Sequence, residues 1–166
     1  MPKIFKPVVA TLAIIILAAA AYNYLSFADE RKVRRALLEL RGKISEPMTG
    51  NMSAILSASS LKPLFAPKIN ISFRHGNSEQ RYIFEQDELL RIIMGIKQGN
   101  PNLTVKLDFS RRNIKIADGF IATVSAMVTV ENLGETFEPQ RLTFTFEKDK
   151  ETRWRLASVS EGVPPA

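Results

Sequence analysis

A single histidine, His75, and no cysteine among 166 residues leave little from which to build a nucleophilic or metal centre. Without cysteine there is no disulfide scaffold, thiolate metal site, cysteine nucleophile or lipid-modified cysteine anchor. His75 precedes Gly76-Asn77, a turn signature, where an exposed imidazole is the ordinary expectation. Ser57, Ser59 and Ser60 have no base at any motif spacing, and the sequence holds no Gly-rich phosphate loop, paired-acid metal motif or calcium loop. Tyr82 and Trp154 have the right chemistry for a general acid and a ligand platform, although both residue types more often pack in cores with their polar atom bonded. No cofactor or metal is expected. The 23 basic and 17 acidic residues leave a net charge of +6, spread thinly along the chain. That balance suits an anionic surface such as phospholipid and gives no reason to expect nucleic acid.

The N-terminus carries the strongest single signal. After a short basic tail, residues 1–7 with Lys3 and Lys6, the stretch 8–25 is apolar, with Val8, Leu12, Ile14, Ile15, Ile16 and Leu17 in its body and Tyr22 and Tyr24 at its far end. As a helix it would reach about 27 Å, enough to cross a hydrocarbon core, with its tyrosines at an interface. The expectation is a transmembrane anchor. Ser26-Phe27-Ala28 also has the small-x-small form of a signal-peptidase site, so cleavage after residue 28 and secretion is the competing reading. Orientation is contested as well. Arg31, Lys32, Arg34, Arg35, Arg41 and Lys43 follow the span, which by the positive-inside rule would leave the C-terminal domain in the cytoplasm. A short basic tail before a first apolar segment is the ordinary export signal, and on that ground the domain is expected outside the cytoplasm, in a single-pass protein of a bacterial inner membrane.

From Asp29 to about Ser45, Val33, Ala36, Leu37, Leu40 and Ile44 recur at helical spacing and predict an amphipathic helix. Its Arg31, Lys32, Arg34 and Arg35 would be a solvated face or, beside an anchor, contacts to anionic headgroups. Residues 47–66 predict a short helix and an irregular connection. Ile69, Ile71 and Phe73, then Tyr82 and Phe84, alternate with polar residues and predict a hairpin. A helix follows from about Asp87 to Gln98, with Leu89, Ile93 and Ile96 on one face and Gly99 and Pro101 as its stop. Beyond Pro101 the period is two, through Val105-Leu107-Phe109, Ile114-Ile116, Ala122 to Val130, Leu142-Phe144-Phe146 and Trp154-Leu156, with turn residues between. This predicts an antiparallel meander and an α+β domain over 29–161, with 162–166 as a tail.

Helix, short helix, hairpin, helix and long meander together resemble the nuclear transport factor 2-like (NTF2-like, cystatin-like) superfamily, a curved antiparallel sheet wrapped as a cone over helices. Residues 103–109, 114–119, 120–130, 142–146 and 154–159 carry the resemblance. An anchor ahead of such a domain is similar to the inner-membrane assembly factor of bacterial type IV secretion systems. Enzymes of the superfamily place Asp, His or Tyr inside the cone, where desolvation tunes them for proton transfer. Here the inward parities are apolar except for Tyr82, while Asp108 has the opposite parity and Asp118 adjoins Gly119 in a turn. The expectation is therefore a non-enzymatic interaction or assembly module; the alternative is a small-molecule binder or acid/base enzyme using the cone. The expected partner face is the outer one, with Ile121, Thr123, Ser125, Met127 and Thr129 joined by Arg141, Thr143, Thr145 and Val159. No Lys or Glu interrupts the sequence from Phe120 to Val130, so a protein partner or a second copy could cover this surface at little desolvation cost.

Overall fold

The computed structural model describes residues 27–75 and 78–162. The basic tail 1–7, the expected anchor 8–25, the Gly76-Asn77 turn and the last four residues lie outside the described residues. Among those described, no helix is long and apolar enough to cross a membrane.

Helix α1 spans 27–45. It buries Val33, Leu37 and Leu40, with Ala36 and Ile44 packed beside them, as its spacing of three and four requires. Helix α2, Asn51–Leu61, follows Gly50, whose φ of 85° is a left-handed backbone that favours glycine. A 3-10 turn, Lys62–Leu64, leads into β1, Phe65–His75, which pairs with β2, Ser78–Glu85, in the register Ile69↔Phe84 and Ile71↔Tyr82. Helix α3, Gln86–Gly99, carries Asp87 and Glu88 in its first turn and Lys97 in its last, signs that complement its dipole. Its buried residues are Leu89, Leu90, Met94 and Lys97. The expected stripe is thus displaced around the helix: Ile93 is only partly buried and Ile96 is 49% exposed.

The remaining strands are β3 (Thr104–Asp108), β4 (Ile114–Ala117), β5 (Ile121–Asn132), β6 (Glu135–Thr136), β7 (Gln140–Lys148) and β8 (Trp154–Glu161). They join β1 and β2 in one sheet of order β2-β1-β8-β7-β5-β3, with β4 and β6 also on β5. Strands β3 and β4 share one edge of β5, against Met127–Glu131 and Ile121–Val124 respectively, and the 3-10 turn Arg111–Asn113 lies between them. Asp118 and Gly119, at φ 53° and 72°, join β4 to β5, and Leu133 and Gly134, at 52° and 84°, join β5 to β6. Positive φ at both central residues matches the twist of a tight hairpin.

Two expectations are corrected here. The sheet is mixed, because β1 and β8 pair in parallel. Period-two alternation reports which face is buried and is blind to strand direction, so the last strand's return beside the first could not be read from it. Strand β8 also carries a bulge: Thr145 pairs with Ser158 but Phe146 with Leu156, leaving Ala157 as the extra residue. One extra residue reverses parity, so Val159 turns to the core and Ser158 and Ser160 turn outward. Val159 therefore does not belong to the outer face.

The core lies between the helices and the inner sheet face. Ile69, Ala122, Val124, Ala126, Phe144, Phe146, Trp154 and Leu156 are all buried there with the α1 and α3 side chains. Each large apolar side chain so buried contributes about 1.5–3 kcal/mol relative to exposure.

Candidate functional site: the outer sheet face

On the outer face the register lines up small polar side chains in two rungs across four strands. One rung is Asn70, Ser158, Thr145, Thr123, and the next is Ser72, Ser160, Thr143, Ser125, on β1, β8, β7 and β5 in turn. Thr143 lies in the middle and is only 1% exposed. Its hydroxyl donates to the Gly162 carbonyl at 2.8 Å, which leaves Ser125 as donor in the 3.4 Å contact between their hydroxyls. The sequence places Thr143 on an open partner surface; the end of the described chain covers it instead. Thr123, Ser125, Met127, Thr129 and Thr145 are half-buried and Ile121 is 43% exposed, so the rest of the expected face is reachable.

Two grooves flank this centre. The larger, about 830 Å³, is lined by Asp108, Arg112, Lys115, Thr123, Ser125 and Arg141 among others. No ion pair among the described residues joins its three cations to its one carboxylate, so it is open to an anionic group. The other, about 660 Å³, lies between Asn70, Ser72, Arg74, Glu79, Arg81 and Ser158. There Glu161 accepts the Arg74 backbone N–H at 3.0 Å and Arg81 meets Glu79 at 3.5 Å. Exposed pairs of this kind contribute little to stability.

The residues singled out for chemistry are dispersed. Tyr82 is 44% exposed, its hydroxyl donates to Gln80 at 3.1 Å, and its ring stacks on Phe73 and Phe84 with centroids 5.4 and 6.2 Å away. Its register opposite Ile71 keeps the inward parity expected for it, but burial falls along the hairpin, from 0% exposure at Ile69 to 41% at Phe73, and leaves it beyond the core. His75 ends β1 opposite Ser78. Asp108 and Asp118 are both exposed. Trp154 is 5% exposed and its indole N–H donates to Asp29 at 3.4 Å, beside the 3.0 Å Asp29–Lys148 ion pair. Among the described residues no group of three or more His, Cys, Asp or Glu could hold a metal ion.

On α1, Arg31, Lys32, Arg34 and Arg35 are exposed, and the Arg34 guanidinium lies 6.0 Å from the Phe109 ring centre. Sequence reasoning missed three features. Arg111 arrives beside this basic face from the β3–β4 connection, meeting Glu30, while its neighbour Arg112 lines the outer-face groove. Lys97 is buried, its ammonium donating to the Lys43 carbonyl at 2.8 Å; burial pulls its pKa below the ordinary lysine value, with Glu46 opposing. The hydroxyl rungs extend onto β1 and β8, and there the signal existed: Asn70, Ser72, Ser158 and Ser160 repeat the small polar alternation of β5 and β7.

No protein-family model matches the sequence, and no curated protein matches it. Solved structures do match. A Novosphingobium aromaticivorans NTF2-like protein with a cystatin-like fold superposes with a TM-score of 0.61 at 12% identity, covering 87% of each chain. The fold is NTF2-like. A superfamily protein from Salmonella enterica matches at 0.56 and 18% identity over 85% of this chain and 94% of its own. A Streptomyces avermitilis protein of the NTF2-like family, named as a candidate dehydratase, matches at 0.53 and 14% identity over 84% and 99%. At these identities the likeness establishes the fold alone. An NTF2-like cone can host a reaction or a docking surface, so function must be argued from the faces themselves.

Proposed function

We propose that the chain is a membrane-anchored interaction module: residues 8–25 hold it, single-pass, in a bacterial inner membrane, and its NTF2-like domain receives a protein partner or a second copy outside the cytoplasm. The observation that carries this reading is the contrast between the two faces of the sheet. The inner face, where enzymes of this fold place their acids and bases, is packed with Ala122, Val124, Phe144, Phe146 and Leu156 against the helices. The centre of the outer face presents hydroxyls and one exposed isoleucine, with the charged side chains gathered in the two flanking grooves. A surface of Lys and Glu resists docking because each charge must be stripped of water, whereas a hydroxyl can exchange water for a partner at small net cost. An anchored domain of this kind is similar to the type IV secretion assembly factor, which holds an extracytoplasmic surface at a membrane complex.

Fusion topology tests the reading. Alkaline phosphatase at the C-terminus is expected to be active and to sediment with membranes. A silent phosphatase together with a fluorescent GFP fusion would put the domain in the cytoplasm, and active phosphatase in the soluble periplasmic fraction would mean cleavage near Ala28.

A further inference from the structure

The first turn of α1 gathers the loops at one pole of the domain. Arg111, from the β3–β4 connection, meets Glu30 at 2.6 Å and sets its guanidinium 3.8 Å from the Phe27 ring centre. Lys148, at the end of β7, meets Asp29 at 3.0 Å and donates to the Gly119 carbonyl at 3.4 Å, while its backbone N–H donates to the Phe120 carbonyl at 2.8 Å. The turn that carries Phe120 is thereby tied to the start of α1. Phe120 is 66% exposed and Phe27 44%. Both acids of this turn, Asp29 and Glu30, have cations, whereas Arg31 and Arg34, which line one hollow with Phe27 and Arg111, have no ion-pair partner among the described residues. The pole thus combines exposed aromatic rings with unneutralised guanidinium groups, the pairing that suits a lipid headgroup layer. The apolar segment 8–25 ends two residues before Phe27.

We propose that this pole rests on an anionic phospholipid surface, with Phe27 and Phe120 at headgroup depth and Arg31 and Arg34 on phosphates. The proposal rests on the reading of 8–25 as an anchor and adds an orientation to it. Strand β5 starts at Ile121, directly after Phe120, so it would run away from the bilayer and turn the outer face sideways, toward a partner in the same membrane. Helix α1, about 28 Å long over 27–45, would carry the opposite pole clear of the lipid. That opposite pole is marked by Asn102, in the connection between α3 and β3.

The cysteine-free sequence makes the test direct. Phe120→Cys and Asn102→Cys, each in the full chain reconstituted into nanodiscs of phosphatidylcholine and phosphatidylglycerol, are spin-labelled and probed for collision with oxygen and with a nickel chelate. The label at 120 is expected to favour oxygen over nickel several-fold more than the label at 102. Adding Arg31→Glu and Arg34→Glu, or using phosphatidylcholine alone, should move the 120 label toward the aqueous value. Equal, aqueous accessibility at both sites in a chain that resists carbonate extraction would overturn the docking and leave the anchor standing. A chain extracted by carbonate would overturn both.

Discussion

Lys97 is the residue whose chemistry departs furthest from its sequence context. A lysine in the last turn of a helix ordinarily reaches solvent; this one is 2% exposed and caps the C-terminal end of α1 through the Lys43 carbonyl. Burial disfavours its charged form, so its pKa in the folded chain lies below that in the unfolded chain. Between those two values the unfolded state binds more protons, and stability therefore rises with pH on the alkaline side until the ordinary lysine pKa is passed. Lys97→Met should abolish that rise. Denaturant unfolding of both chains across the alkaline range is expected to show wild type gaining on the variant; parallel curves would contradict the account. Nothing in the sequence could have announced this burial, because Ile93 and Ile96 offer a stronger apolar stripe and only the packing of α3 against α1 decides which face turns in. Thr143 makes the same point from the opposite side: its parity is outward, as read, and its burial comes from Gly162, far along the chain.

At the scale of elements, the alternation of Val105 to Phe146 was enough to place nearly every strand, since one face of each is buried and the period is two. What alternation could not carry were strand direction at β1–β8 and the bulge at Ala157, each of which depends on a neighbour absent from the local pattern. The turns were legible, and one of them is imperfect. Leu133 holds φ 52° and is 77% exposed, in a backbone that costs most L residues but suits Asn, whose side chain can bond locally. Leu133→Asn should therefore raise stability by about 0.5–1 kcal/mol through relief of that strain. A thermal melt shifted upward by a few degrees is the expected result; a downward shift would mean that Leu133 makes an apolar contact worth more than the strain.

For the whole molecule, the helices and hydroxyl-rich sheet divide the domain into a packed interior and an outward face, with the start of α1 at one pole. The small polar alternation of β5 and β7 recurs on β1 and β8 in the sequence, but the strand order that sets all four side by side, with β1 parallel to β8, could not be read from it. The cationic groove likewise forms only when β3, β4 and β7 bring Arg112, Lys115 and Arg141 together. The most direct measurement is the assembly state of the detergent-extracted full-length chain, by sedimentation and co-purification, with Ser125→Arg as the perturbation. Ser125 is half-buried at the mouth of that groove, so a cation there adds bulk and charge to the contact while stability should change by only about 1 kcal/mol. Thr143→Glu is unsuitable for this purpose, because it would bury a carboxylate and unfold the sheet. Wild type is expected to sediment as a dimer or with a stoichiometric protein partner, and Ser125→Arg, still folded, to lose it. Identical sedimentation and identical co-purified protein for the two chains would contradict the outer face as the working surface.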